Sequence, residues 1–412
     1  KDVLLKESDL APDKKDPRFL DPTWQENLFY RNWLKSYLGW KKQMARWVED
    51  EKLSDEDKHR IMFVVDLFTD ALSPSNCLLN PIAVKRFFET GGTSFAKGTQ
   101  NFIKEMITNS GLPSQVDKTK FTVGKNLAAT PGSVIYRNEM LELIHYRPQA
   151  EKVFDRPILL IPPQINKYYI LDLSENKSVV KFMLSQGLQV FIISWRNPTP
   201  KESHWGIEDY INALDKAVDV ILEITGNKSL NAMAACTGGI TALAMLGYYS
   251  AMDIDKMASL TLLVSMYDMS EKSAFSMFAD DKMIDNARKR SAKKGVLKGS
   301  EMARIFSWMR PNNLIWNYWV NNYLLGEAPP AFDILFWNAD TTELSAAFHS
   351  DILDLLQTNA FVQPGKVIIN GQPIDLGKIT SDVFSVAGTT DHICPWKGCY
   401  RSALNVGAKN NK

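Results

Sequence analysis

The chain has 412 residues, 45% of them hydrophobic, enough to bury the core of an α/β domain and one smaller unit. Lys and Arg total 48 against 47 Asp and Glu, so the net charge of +1 sets up no overall field to recruit nucleic acid or an anionic membrane. The four cysteines (Cys77, Cys236, Cys394, Cys399) are too few for a disulfide framework, Cys394, Cys399 and His392 are too few ligands for a structural zinc site, and no stretch reaches the ~18 consecutive apolar residues of a membrane span.

The first ten residues lack the apolar core of a signal peptide, and with the sparse cysteines this fits a reducing cytoplasm. The chain opens on Lys1 rather than Met, which points to a removed N-terminus. From about residue 20 to 125 the pattern is helical. Trp24, Leu28, Trp33, Tyr37, Trp40, Met44 and Trp47 recur at spacings of three to five, the stripe of a helix that faces a core or, in the alternative, a docking surface. Ser54 with Asp57 reads as a capping start for the next helix, and Asn80-Pro81 and Gly91-Gly92 punctuate the remainder of this region.

After about residue 150 short apolar runs at 157–162, 189–194, 231–235, 260–265 and 383–387 read as buried parallel strands. Helical patterns near 174–187, 207–224 and 239–250 alternate with them, giving the βαβ rhythm of a doubly wound sheet. An insertion from about 267 to 378 breaks that rhythm and is expected to form a helical cap over the sheet's carboxyl edge. It carries an aromatic run (Trp308, Trp316, Tyr318, Trp319, Tyr323) and a basic cluster (Arg288, Lys289, Arg290, Lys293, Lys294). The cluster is a solvated helix face or a contact to substrate phosphates. The expected division is a helix-rich region over 1–150 and an α/β domain over 151–412 that contains the cap.

The sequence Ala234-Ala235-Cys236-Thr237-Gly238-Gly239 places a cysteine between a predicted strand and a predicted helix. A nucleophile at such an elbow needs small neighbours because the turn is tight and its dihedrals strained. The spacing is that of G-x-S-x-G with Cys for Ser and Ala for the first Gly. The following helix aims its amides at the sulfur, and Thr237 is the expected first oxyanion donor. The second is expected on the loop after the first core strand, at Ile165. The plainer alternative is a buried structural cysteine ahead of a helix. Asp391, just past the last predicted strand, stands where the chain order of this elbow requires an acid.

Residues 84–92 (Val-Lys-Arg-Phe-Phe-Glu-Thr-Gly-Gly), 123–128, 162–170, 194–198 (Ser-Trp-Arg-Asn-Pro), 235–239, 332–338 and 387–396 (Ala-Gly-Thr-Thr-Asp-His-Ile-Cys-Pro-Trp) are similar to the polyhydroxyalkanoate synthases. The match is closest to the pseudomonad-type class that polymerises medium-chain monomers. The resemblance covers essentially the whole chain. It implies an α/β-hydrolase fold with a mostly parallel sheet, and a cytoplasmic enzyme that moves (R)-3-hydroxyacyl groups from coenzyme A to a cysteine and then to a polyester. It also implies Cys236 as nucleophile, Asp391 as triad acid, and His392 in a supporting role. A homodimer on polymer granules with granule-associated proteins, and no metal or redox cofactor, complete the family picture.

Two departures stand out. Ala234 replaces the Gly that usually opens the elbow, a small-for-small change. The triad histidine is expected some tens of residues after the acid, yet no histidine follows His392, and the expectation is a chain truncated before it. A chain without that histidine should release little coenzyme A. His59, His145, His204 and His349 precede the acid and are expected to be ordinary core or surface residues. A thioesterase or lipase-like hydrolase on the same fold, or a granule-binding or dimerisation subunit without its base, are the competing readings.

Overall fold

The computed structural model describes residues 11–109, 111–271, 273 and 281–407. The chain divides into two units, one of residues 1–118 with 304–335, the other of residues 119–303 with 336–412.

In the first unit Asn27 ends an opening helical turn, Thr23–Glu26, and its side chain accepts hydrogen bonds from the amides of Phe29 and Tyr30, capping helix α1 (Leu28–Asp50). That cap interrupts the predicted stripe. Trp24 is fully buried with Phe19, Leu34 and Tyr37, whereas Leu28 and Trp47 are 62% and 51% exposed, so only part of the stripe faces a core. Ser54 Oγ accepts the Asp57 amide at 3.1 Å and starts α2 (Asp55–Ala71), as the capping pattern predicts. Asn80 caps α3 (Pro81–Glu89), and Gly91 and Gly92, at φ +59° and +83°, turn the chain into α4 (Thr93–Thr108).

The aromatic run of the insertion packs within this unit. Trp319 and Tyr323 meet Phe102 of α4 with ring centroids 5.8 and 5.3 Å apart, and Trp316 lies 6.0 Å from Trp319. Close approach is possible because Gly98 has no Cβ, which would sit 1.9 Å from the Tyr323 carbonyl oxygen. These rings are helix-packing residues, and residues 304–335 leave the expected cap to join the helices.

The second unit is built on a seven-stranded sheet: β1 (Gly132–Arg137), β2 (Leu141–Tyr146), β3 (Ile158–Ile161), β4 (Val190–Trp195), β5 (Leu230–Ala235), β6 (Met257–Leu263) and β7 (Asp382–Val386). Their spatial order is β1-β2-β4-β3-β5-β6-β7, parallel from β4 to β7 and antiparallel at β1 and β2. The five predicted strands are β3 to β7. The first two fall where a helical region is expected, so the α/β unit begins at 119 instead of 151. The six residues of β1 are mostly exposed and carry no apolar alternation to betray a strand.

Helices α5 (Val179–Ser185), α6 (Ile207–Thr225), α7 (Thr237–Ala251), α8 (Asp281–Lys294), α9 (Ala346–Thr358) and α10 (Trp396–Leu404) belong to the same unit. Leu159, Ile161, Phe191 and Ile193 pack toward α6 and α7, while Leu160, Val190 and Ile192 pack toward Val180 and Leu184 of α5. Burial on both faces explains why the central strands read as continuous apolar runs. On α8, Arg288 pairs with Asp354 at 2.6 Å, and Arg290 and Lys294 pair with Glu301, the behaviour of a solvated helix face. Part of the insertion does lie over the loop after β3. Trp337 Nε1 donates to the Lys167 carbonyl at 2.8 Å and Thr342 Oγ1 to the Gln164 carbonyl at 2.8 Å.

Candidate active site

Parallel register brings the strand ends together. Ala235 and Val386 are both level with Leu263 of β6, so the residues after β5 and after β7 emerge side by side at the carboxyl edge. Cys236 follows β5 with φ +49° and ψ −121°, a conformation that a residue with a Cβ adopts only when its surroundings enforce it. Its amide donates to the Leu263 carbonyl at 3.0 Å. Its own carbonyl accepts from the Gly239 amide at 2.9 Å and from Ser265 Oγ at 3.3 Å. A Cβ on Gly238 would lie 2.5 and 2.6 Å from the carbonyl oxygens of Pro162 and Ile161, and one on Gly239 2.0 Å from Ser265 Oγ. Gly238→Ala is therefore expected to push the elbow off β3 and to lower unfolding stability by about 1–3 kcal/mol in urea titrations; an unchanged midpoint would contradict this packing.

Cys236 is a half-buried free cysteine, and it follows β5 directly onto the first turn of α7. The thiol is held below the usual cysteine range, chiefly through the neighbouring Cys394 thiol and also the Thr237 amide, while burial and the Asp391 charge act upward. Cys394 is pushed strongly upward through the Cys236 thiol and by burial, and burial pushes Cys399 up to about 11.

Asp391 opens the loop after β7. Its Oδ1 accepts the amides of Ile393 at 2.8 Å and Cys394 at 3.0 Å, a turn that fixes the carboxylate. Its charge is felt at Cys236, Cys394 and Cys399. His392 is half-buried in the same turn. On the opposite side, the Gln164 amide donates to Thr237 Oγ1 at 3.2 Å, and Gln164 Nε2 to Thr241 Oγ1 at 2.9 Å. The loop carrying Ile165 is thus tied to the first turn of α7, next to Thr237.

A family model described as the N-terminus of poly-beta-hydroxybutyrate polymerase (PhaC) matches residues 15–183, and the alpha/beta hydrolase fold model matches residues 157–405. Poly(3-hydroxyalkanoate) polymerase 1 of Ectopseudomonas oleovorans is 51% identical to the chain, covering 99% of it and 73% of the relative. The chain belongs to the poly(3-hydroxyalkanoate) polymerase family. Polymerase 2 of the same organism is 52% identical over 98% of the chain and 72% of its own length. The polymerase subunit PhaC of Cupriavidus necator is 36% identical over 96% and 68%.

Within this polymerase-family chain the sequence-derived candidates Cys236, Asp391, His392, Thr237 and Ile165 all lie at the β5, β7 and β3 ends of one sheet edge. The other histidines stand elsewhere. His349 is buried, shares a hydrogen bond with Ser291 Oγ at 2.9 Å and is pushed down to about 4 by burial. His145 stacks on Phe191 with ring centroids 4.4 Å apart, and His59 and His204 are exposed. Three residues escaped sequence reasoning: Cys394, Ser265 and Gln164. No spacing signal links them to Cys236, because each arrives from a different strand end. Among the described residues no three His, Cys, Asp or Glu side chains group to hold a metal ion, and no single helix is long and apolar enough to cross a membrane.

Proposed function

We propose that the chain polymerises (R)-3-hydroxyacyl-coenzyme A into poly(3-hydroxyalkanoate), with Cys236 carrying the growing polyester as a thioester. The observation that carries this reading is the Cys236 sulfur, set in an enforced elbow at the N-terminus of α7 beside the Asp391 loop, in a chain of this family.

The Cys236 thiolate attacks the acyl carbonyl of the coenzyme A thioester. The negative charge that develops on oxygen is received by the amides of Thr237 and Ile165, and coenzyme A leaves with the electrons of its C–S bond. One thioester replaces another, so the acyl group stays activated. The 3-hydroxyl of a second monomer then attacks the Cys236 thioester, giving its proton to the triad histidine that the family resemblance implies Asp391 orients, and an oxygen ester forms as the Cys236 thiolate departs. That exchange of thioester for ester drives elongation. We place His392 as a support of the Asp391 turn and not as that base, because a ring on the adjacent residue is badly directed for its neighbour's carboxylate. The reaction needs no cofactor, since the coenzyme A thioester itself brings the activated group.

Medium-chain monomers, a homodimer, and a cytoplasmic location on polymer granules belong to the same proposal. The described surface of α3 and α4 suits an apolar polymer: Phe88 is 75% and Ile107 80% exposed. The test is incubation with a medium-chain 3-hydroxyacyl-coenzyme A, with intact mass and product analysis. An acyl adduct on Cys236 with insoluble polyester supports the proposal. Free 3-hydroxy acid as the sole product would mark a hydrolase, and granule binding without any adduct a non-catalytic subunit.

A further inference from the structure

Acyl transfer through Cys236 needs the amides of Thr237 and Ile165 at fixed places, yet the two lie on stretches of chain far apart in sequence. Gln164 joins them. It is 3% exposed and directly precedes Ile165 on the loop after β3. Its amide donates to Thr237 Oγ1 at 3.2 Å and its Nε2 to Thr241 Oγ1 at 2.9 Å, so one residue grips the first and second turns of α7. Its carbonyl accepts Thr342 Oγ1 at 2.8 Å. On either side the loop is pinned by Trp195 Nε1 on the Pro162 carbonyl and by Trp337 Nε1 on the Lys167 carbonyl, both at 2.8 Å. Among the described residues the Ile165 amide has no acceptor within the protein. The clamp thus occupies the N–H of Gln164 and leaves the next one free.

We infer that Gln164 is a positioning residue of the oxyanion hole, whose grip on Thr237 and Thr241 sets the separation of the Thr237 and Ile165 amides. This rests on the proposal that Cys236 is the acylated nucleophile. The hydrogen-bond network decides which way the carboxamide turns. Thr241 Oγ1 gives its proton to the Thr237 carbonyl at 3.1 Å, so toward Gln164 it accepts. Nε2 therefore faces Thr241, and Oε1 is left buried with no donor in the protein among the described residues. A buried carbonyl without a donor works against stability. Methionine fills nearly the same space without that penalty, so stability by itself favours an apolar side chain at 164. What an apolar side chain lacks is the second hold on α7: the backbone bond to Thr237 survives, but a single point of attachment is a hinge.

The effect belongs to the transition state. Negative charge collects on the acyl oxygen during attack and departure, so a displaced amide loses bonding there and not in the bound thioester. A lower kcat at unchanged KM is the expected signature. Removing an oxyanion donor outright costs roughly 10²–10³-fold in kcat. A donor displaced and not removed is expected to cost less, about ten- to a hundredfold.

The full chain and its Gln164→Met, Thr241→Val, Thr241→Ser and doubly substituted Gln164→Met, Thr241→Val forms are compared in two reactions of Cys236. One is acylation by a medium-chain 3-hydroxyacyl-coenzyme A, read as coenzyme A release and adduct mass. The other is alkylation by iodoacetamide from pH 5 to 10, which displaces iodide without forming a tetrahedral oxyanion. Acylation is expected to fall about ten- to a hundredfold in Gln164→Met and in Thr241→Val, and no further in the double form, because both changes remove one clamp. Thr241→Ser keeps the hydroxyl and is expected to restore the rate. The alkylation midpoint of Cys236 and the urea midpoint of Gln164→Met should stay where they are in the unmodified chain. Undiminished acylation by Gln164→Met, losses that multiply in the double form, or alkylation that falls in step with acylation overturns the clamp and leaves Cys236 as nucleophile. A Cys236 that takes up no acyl group in the unmodified chain overturns the nucleophile assignment, and the clamp with it.

Discussion

Cys236→Ala is expected to abolish both the acyl adduct and polymer, with coenzyme A release from the 3-hydroxyacyl thioester falling to the uncatalysed level. The reason is that no other group at the site can take over. Cys394, on the loop that Asp391 opens, is buried and its thiol is pushed strongly upward, so it offers little thiolate. Truncation to Ala should leave the fold intact. The elbow is held by backbone bonds from Cys236 to Leu263, Gly239 and Ile240 that an alanine retains. Circular dichroism and the urea midpoint should therefore stay near those of the unmodified chain while activity is lost. Cys236→Ser separates the two half-reactions. A serine ester is not activated for the next attack, so an adduct should build up slowly and elongation stall. Polymer formed at an undiminished rate by Cys236→Ala would remove the proposed mechanism.

Asp391→Asn is the second large effect, a loss of roughly 10²–10⁴-fold in polymer formation, by analogy with the cost of replacing the acid of a serine-protease triad. Asparagine keeps an oxygen for the amides of Ile393 and Cys394, so the turn survives. What it loses is the negative charge that orients and stabilises a protonated base. Two readouts distinguish this from a structural effect. The urea midpoint should change little, and the Cys236 alkylation midpoint should fall, because the Asp391 charge acts to raise the Cys236 thiol. Removing the charge makes the thiolate easier to form, so its population grows at lower pH even as turnover drops. A raised alkylation midpoint would show that Asp391 does not face the sulfur as described.

The elbow could be read from residues alone because every feature it needs is local. A strand of small residues, one reactive side chain, two glycines and an apolar helix succeed each other within a dozen positions, and the strain at Cys236 is forced by those neighbours. Strands β3 and β4 are equally legible, since burial on both faces leaves nearly uninterrupted apolar runs. Two other expectations failed for physical reasons. An exposed antiparallel edge such as β1 needs no apolar face, so it left no trace in the hydropathy pattern and the α/β unit was started too late. The aromatic run at 308–323 is expected in the cap, yet its composition suits a helix interface equally well, and composition does not distinguish the two. Phe102 and the bare backbone at Gly98 decide for the interface.

The amino-acid order therefore determined where the nucleophile and acid stand in the chain and which kind of fold presents them, because those depend on turns and runs of neighbouring residues. Only the tertiary structure decided what touches the sulfur. Cys236 and the loop that carries Asp391 emerge side by side because β5 and β7 both align on Leu263 of β6, a register set by hydrogen bonds between strands far apart in sequence. No pattern along the chain encodes that distance.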